Sequence, residues 1–384
     1  VKRYGQLSNA ITAWANLLVA ARKARRGKRR RPVVERFHFR SEWELLELRR
    51  QLLDESYRPG PFTVHRIAVP KPRLISAAPY RDRVVHHAIM NLLEPILDRH
   101  FHPDSYACRK GKGTHAAAKR IQQYLGQYDL FIACDVWQFF PSIDHAILKT
   151  LIRRRFKDAW LLRLLDRIID SSNEQDDATH YFPGDTLTTP FERRRGLPIG
   201  NLTSQWFANL YLDGLDHFIT AELGFGAYVR YSDDFVFFGN DRNELQRAFR
   251  RIVDHCAGLR LKLHEDRAHV RPSQRGLTFV GFRLWKTHRY LTKNNIRRFR
   301  RRVRGLKRLF ERGKIGLVDI YRHLQSWIGH ALQADSLNLI QRLLPELRWF
   351  QDHPDVKTGN FLRRAAHGQE KSEKRKKTKE QKKT

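Results

Sequence analysis

The sequence is short of acid, short of cysteine and lacks any long apolar run, and each shortage removes a class of protein. Asp and Glu number 40 against 74 Lys and Arg, a formal net charge of +34 over 384 residues. That excess is larger than solubility needs and implies a polyanionic partner. No stretch is apolar over the ~20 residues that a bilayer crossing takes. The basic residues are spread over every segment rather than along one face of an amphipathic helix, which disfavours a membrane surface. Nucleic acid is the expected partner. The three cysteines, Cys108, Cys134 and Cys256, lie far apart with no paired spacing, so neither a disulfide framework nor a zinc site is indicated. The first residues carry a short apolar patch followed by a basic segment, the reverse of a secretory signal. A cytoplasmic location is expected.

What the chain does have is residues 227–239, AYVRYSDDFVFFG. Two β-branched and aromatic runs flank Ser232, Asp233 and Asp234, which reads as a strand, a tight turn carrying the acids, and a second strand. Adjacent carboxylates on a turn repel each other and add nothing to stability, but they suit a hard divalent cation such as Mg²⁺. A third acid is expected at the end of another strand, and residues 130–135 (LFIACD) end on Asp135.

Helical periodicity runs over residues 7–26 and again over 41–53, and between them eight of the eleven residues 22–32 are basic, with Gly27 and Pro32 as breakers. That run suits a surface tracking a phosphate backbone. Residues 61–80 read as a two-stranded flap with Lys71 and Arg73 on one face, two residues apart, a pairing suited to a triphosphate. Residues 81–100 read as a helix in which Asp82 caps or pairs with an arginine, and His86 and His87 are helix-face residues rather than ligands. Arg109, Lys110 and Lys112 sit in a two-glycine loop leading to a helix at Thr114, without P-loop spacing. One helix is expected over 142–169, a polar loop over 171–189, an amphipathic helix over 205–223, a helix over 242–256, strands over 259–284 and a separate helical unit over 294–349. Residues 371–384 hold eight basic and two acidic residues and no hydrophobe, a disordered tail that carries only a small part of the net charge.

In order, Lys71 and Arg73, DRVVHHA, SYACRKGKGTH, Asp135 to Ile143, LPIGNLTSQ, YSDDF and FVGF resemble the reverse transcriptase motif set across about residues 60–285. Tyr-x-Asp-Asp alone is a weak signal; the ordered set is strong. LPIGNLTSQ is similar to the diversity-generating retroelement group, since related polymerases usually carry glutamine where this chain has Ile199 and proline where it has Gln205.

The resemblance implies an α+β right-hand polymerase: a basic helical extension (1–59), fingers (60–125), a palm of antiparallel strands backed by helices (126–290), a helical thumb (291–352) and a tail (353–384). It implies that Asp135, Asp233 and Asp234 are catalytic and bind two Mg²⁺, with Mn²⁺ as a substitute. Lys71, Arg73, Val136, Phe140, Ile199, Gly200, Gln205 and Arg267 would meet the nucleotide, with Phe140 as the gate against ribose. Arg267 stands where many relatives have a lysine proton donor, and arginine donates poorly. Arg109, Lys110, Lys112 and Tyr231 would meet nucleic acid. The implied partners are a template-repeat RNA, dNTPs and the cDNA product, and a small, oligomeric helical accessory protein. The implied source is bacterial, archaeal or phage. The alternatives are a reverse transcriptase of a retron, group II intron or defence system, or a basic RNA-binding protein with a vestigial site.

Overall fold

The computed structural model describes residues 3–67, 73–172 and 180–351. Lys71 and the expected tail lie outside the described residues. The chain divides into two compact units, one of residues 1–117 and 130–271, the other of 118–129 and 272–384. This division is coarser than the five segments expected from sequence. It mixes helix with antiparallel sheet, an α+β arrangement, and among the described residues no helix is long and apolar enough to cross a membrane.

The first unit opens with α1 (Ser8–Thr12), α2 (Trp14–Arg25), α3 (Pro32–Phe39) and α4 (Ser41–Leu53). Pro32 breaks the basic run but also starts α3, because proline at the first helical position loses no hydrogen bond. Then come the antiparallel hairpin β1 (Thr63–Ile67) and β2 (Arg73–Ala77), α5 (Tyr80–Asp98) and α6 (Thr114–Leu125), whose last turns belong to the second unit. β3 (Leu130–Asp135) follows, then α7 (Phe139–Ser142), α8 (His145–Arg155), α9 (Ala159–Asp170), α10 (Thr189–Glu192) and α11 (Leu202–His217). The hairpin β4 (Tyr228–Tyr231) and β5 (Asp234–Gly239) leads to α12 (Arg242–Gly258) and the two-residue β6 (Arg271–Pro272).

The sheet order is β4-β5-β3-β6. Phe235, Val236, Phe237 and Phe238 of β5 are all buried, so both faces of that strand are covered. A strand buried on both sides reads as a continuous apolar run, which is how these segments were recognisable. α12 packs on β3 and β5, and one apolar core joins the sheet, α5, α8, α9, α11 and the N-terminal helices.

Two helical expectations need correcting. The helix expected over 142–169 is broken after Arg155, because the Asp158 carboxylate accepts from Leu161 N–H at 3.1 Å and so caps α9. The same carboxylate takes Leu7 N–H (2.7 Å) and Ser8 N–H (3.2 Å), tying the start of α1 to that break. α11, expected to be amphipathic, is buried nearly all round, from Trp206 to Asp213 and at Leu215 and Asp216. Its polar residues are internal hydrogen-bonding groups rather than a solvent face.

In the second unit β7 (Leu277–Phe279), β8 (Phe282–Leu284) and β9 (Arg289–Leu291) form an antiparallel sheet. α13 (Lys293–Glu311), α14 (Leu317–Ala331) and α15 (Leu337–Leu343) follow. Phe299, Val303 and Leu306 form the buried stripe of α13, and Phe299 stacks on Trp327 with ring centroids 3.6 Å apart. The arginines between them are exposed.

His86 is buried inside α5 with Nδ1 unpartnered. Burial, with help from His87 and Arg83, lowers it from 6.5 to about 3. The unfolded chain therefore takes up a proton that the folded one refuses, so this contribution to stability is present above about pH 6.5 and is lost as pH falls toward 3. Between roughly pH 7 and pH 5, urea unfolding of His86→Leu should lose about 2 kcal/mol less stability than wild type. Parallel losses in the two proteins would show that His86 is not the acid-sensitive group.

Candidate active site and nucleic-acid surface

β4 and β5 pair with Tyr231 opposite Asp234, leaving only Ser232 and Asp233 in the loop. A two-residue hairpin loop needs a mirrored turn with positive φ at its first position, normally glycine. Ser232 takes that position with φ +59°, at a cost of about 1–3 kcal/mol that the surroundings must offset. Along the other edge of β5, Asp234 lies directly opposite Asp135. The Val136 N–H donates to Asp233 O at 3.3 Å and His264 N–H to Asp135 O at 3.0 Å. Trp137 N–H donates to Lys262 O at 2.8 Å, so residues 262–264 continue the pairing past the end of β3. Three acids are thus gathered at one end of the sheet.

Like charges facing each other across an antiparallel pair destabilise it. Among the described residues no three His, Cys, Asp or Glu side chains close into a ready-made metal cage. The donor set is nevertheless of the right chemistry for Mg²⁺, a hard cation usually held by one or two carboxylates together with substrate phosphates.

A second wall stands on the loop before α11. Leu197 N–H donates to Phe140 O (2.9 Å) and Ser76 N–H to Ile199 O (3.2 Å). Gly200 has φ +109°, and a Cβ there would come within 3.1 Å of Ile75. Asn201 clamps β2 from both sides, donating to Ser76 O at 3.0 Å and accepting from Ala78 N–H at 3.1 Å. The segment holding Ile199, Gly200 and the half-buried Gln205 is thereby fixed to the strand that begins at Arg73. Of the two adjacent phenylalanines, Phe139 is in the core and Phe140 is half-buried.

The other expected contact residues differ in how far their side chains are already engaged. Arg109 is not available to nucleic acid: its guanidinium donates to Asp98 Oδ1 (2.6 Å), His102 O (2.7 Å), Ser105 O (2.9 Å) and Asp98 O (3.0 Å), with its side chain buried. Lys112 leans over the Tyr106 ring and donates to Pro103 O at 2.6 Å, leaving Lys110 as the exposed cation of that loop. The Val136 side chain is buried and its N–H is used by Asp233, so only its carbonyl is left for a nucleotide. Arg267 is exposed beside Asp266 at 3.5 Å. Tyr231 is half-buried, and burial raises its phenol.

Sequence reasoning missed two features. Burial and then repulsion from Arg83 and Arg31 lower Lys28, while burial and then Arg31 lower Arg83. His87, beside Lys23 and Lys28, falls to about 4, chiefly through burial. Arg25 Nε is buried without a partner. Crowded, half-buried cations of this kind are stabilised by an arriving anion. The basic run was visible in sequence, but its meeting with Arg83 of α5 was not. The second feature is the pair Arg230 and Asp216, both fully buried. A charged residue inside the apolar run AYVRY was its only signal.

A mixed sheet-and-helix unit presenting three acids at one sheet end has the makings of a nucleotide polymerase. The reverse transcriptase (RNA-dependent DNA polymerase) family matches residues 66–284, and the chain belongs to it. Protein YkfC of Escherichia coli K12 is 26% identical over 288 residues, covering 63% of this chain and 71% of that protein. The group II intron-encoded protein LtrA of Lactococcus lactis is 26% identical over 184 residues, covering 47% of this chain but only 28% of its own length. The nuclear intron maturase 1 of Arabidopsis thaliana is 25% identical over 96 residues, covering 25% of this chain and 14% of that protein.

Asp135→Asn and Asp233→Asn are each expected to abolish primer extension while template binding in a filter assay stays near wild type, because the acids and the basic surface are separate groups. Near-normal extension by either variant with Mg²⁺ would remove these acids from the chemistry. Phe140→Ala is expected to raise ribonucleotide incorporation at least tenfold relative to deoxynucleotides, a change of ~1.4 kcal/mol in discrimination. Unchanged discrimination would return Phe140 to a packing role.

Proposed function

We propose that this chain copies RNA into DNA at the Asp135, Asp233 and Asp234 cluster by nucleotidyl transfer. The observation that carries the reading is the placement of Asp234 opposite Asp135, with Asp233 backed by the Val136 N–H. These carboxylates would hold two Mg²⁺, which when bound lower the pKa of the primer 3′-hydroxyl and neutralise charge on the leaving pyrophosphate. Phe140 would lie under the incoming sugar, Ile199, Gly200 and Gln205 would shape its pocket, and Lys71 and Arg73 would grip the triphosphate. Template RNA would follow the basic surface that includes Lys28, Arg31, Arg83 and Lys110.

The finer proposal is a diversity-generating retroelement polymerase that mutates its cDNA at template adenines, working with a small helical accessory protein. It rests on Ile199 and Gln205. Isoleucine can neither donate nor accept where related polymerases carry glutamine, and losing a polar contact to the incoming nucleotide erodes selectivity if the correct geometry used that contact best. A second reading, a group II intron-type reverse transcriptase, is favoured by the names of LtrA and the intron maturase.

Sequencing cDNA made by the purified protein on a defined RNA separates the two. The first reading expects errors concentrated at template adenines and fewer of them in Ile199→Gln. Errors spread evenly over the four bases would favour the intron-type reading, and an unchanged adenine rate in the variant would clear Ile199.

A further inference from the structure

Asp233 needs a fixed backbone, yet it follows a serine held in a glycine conformation. Its own carbonyl is secured by Val136 N–H. The peptide on its other side is secured by a side chain: Arg230 Nη1 donates to Ser232 O at 3.1 Å.

That guanidinium is in turn immobilised. Nε and Nη2 grip Asp216 Oδ1 and Oδ2, both at 2.7 Å, and Nη1 also reaches Asn209 Oδ1 at 3.1 Å. Asn209 and Asp216 are one heptad apart on α11, so they share a face of the helix. Asn209 Nδ2 donates to Ala107 O at 2.9 Å, which fixes its amide orientation, and Tyr228 O–H donates to Asp216 Oδ1 at 2.6 Å. The Arg230 backbone is held too, donating to Asp104 O (2.9 Å) and accepting from Tyr106 N–H (2.9 Å). Both members of the ion pair are fully buried. Replacing such a pair with apolar residues is often neutral or stabilising, so stability alone is a weak reason for it to be there.

We propose that Arg230 is a positioning residue for the carboxylate turn, acting through the Ser232 carbonyl to hold Asp233 in its metal-binding orientation, with Asp216 and Asn209 as its anchors. The inference rests on the proposed role of Asp233. Asp216 balances the charge of Arg230, so the guanidinium can stand close behind the turn without opposing a cation in front of it. Lysine cannot replace it, because a single ammonium on a flexible stem cannot span Asp216, Asn209 and the Ser232 carbonyl together.

The test is the Mg²⁺ dependence of primer extension by the full chain. Two variants are compared with wild type: Arg230→Lys, which keeps the buried charge, and the double variant Arg230→Met with Asp216→Leu, which removes both charges and leaves neither orphaned. Folding of each is checked by far-ultraviolet circular dichroism and by RNA binding without Mg²⁺. Half-saturating Mg²⁺ should rise about tenfold or more in both, the usual range for losing a group that orients a metal ligand. A fault of stability alone would lower the active fraction and leave the Mg²⁺ midpoint where it is. A wild-type midpoint in either folded variant overturns the proposal, and if the double variant does not fold, Arg230→Lys decides. Asp233→Asn in the same assay separates the two layers. If that variant extends normally, the reading of the carboxylate site fails; if it is inactive while the Arg230 variants titrate like wild type, only the Arg230 assignment fails.

Discussion

Asp135 and Asp234 face each other because β3 and β5 are locked in one register, and the rest of the site is built around that pairing. Two carboxylates side by side cost up to about 1 kcal/mol in a strand pair. Against this, burying Phe235, Val236, Phe237 and Phe238 contributes on the order of 6–12 kcal/mol. A slip of one residue would turn every β5 side chain to the opposite face. With both faces packed, the apolar run sets the register and the acids are carried to their places against their own repulsion.

In a chain with so few acids, the way they are used is informative. Asp82 accepts from Tyr57 O–H and Gly60 N–H, both at 2.8 Å. Asp144 caps α8 through Ile147 N–H and takes Arg260 at 2.6 Å. Asp158 ties α1 to α9, and Asp216 anchors Arg230. These buried acids work as internal clamps, each joining segments distant in sequence. Charge-assisted bonds of this kind are about twice as strong as neutral ones, and a clamp whose partner is removed leaves a buried charge unsatisfied. Acid spent inside the fold does not oppose a polyanion outside it.

The limits of legibility follow from what is local. The hairpin, the strand ending on Asp135, α4, and the helix start at Thr114 depend on runs, caps and turn residues within about ten positions, and they stand where the sequence places them. The break at Asp158 was hidden because its carboxylate caps α9 and holds Leu7 and Ser8, the latter contacts lying some 150 positions away. α11 misled because Asn209, Asp213 and Asp216 look like a solvent face by hydropathy, whereas Arg230 and Arg155 meet them inside. The wall formed by Ile199, Asn201 and β2 was legible only as a motif; its mechanism, a buried amide clamping a distant strand, is tertiary.

Arg109 and Lys28 show why charge alone does not locate a nucleic-acid surface. Both stand in basic, glycine-containing stretches, and by composition Arg109 is the equal of Lys28. Inside the fold, Arg109 has carbonyls and a carboxylate at hydrogen-bonding distance, so a phosphate would have to displace bonds already made. Lys28 stands among Arg83, Arg31 and the His87 ring, and burial has already removed part of its water. An anion arriving there relieves repulsion and replaces lost hydration together, whereas at Arg109 it would compete with both. The same count of positive charges is thus satisfied from within in one loop and left crowded in the other.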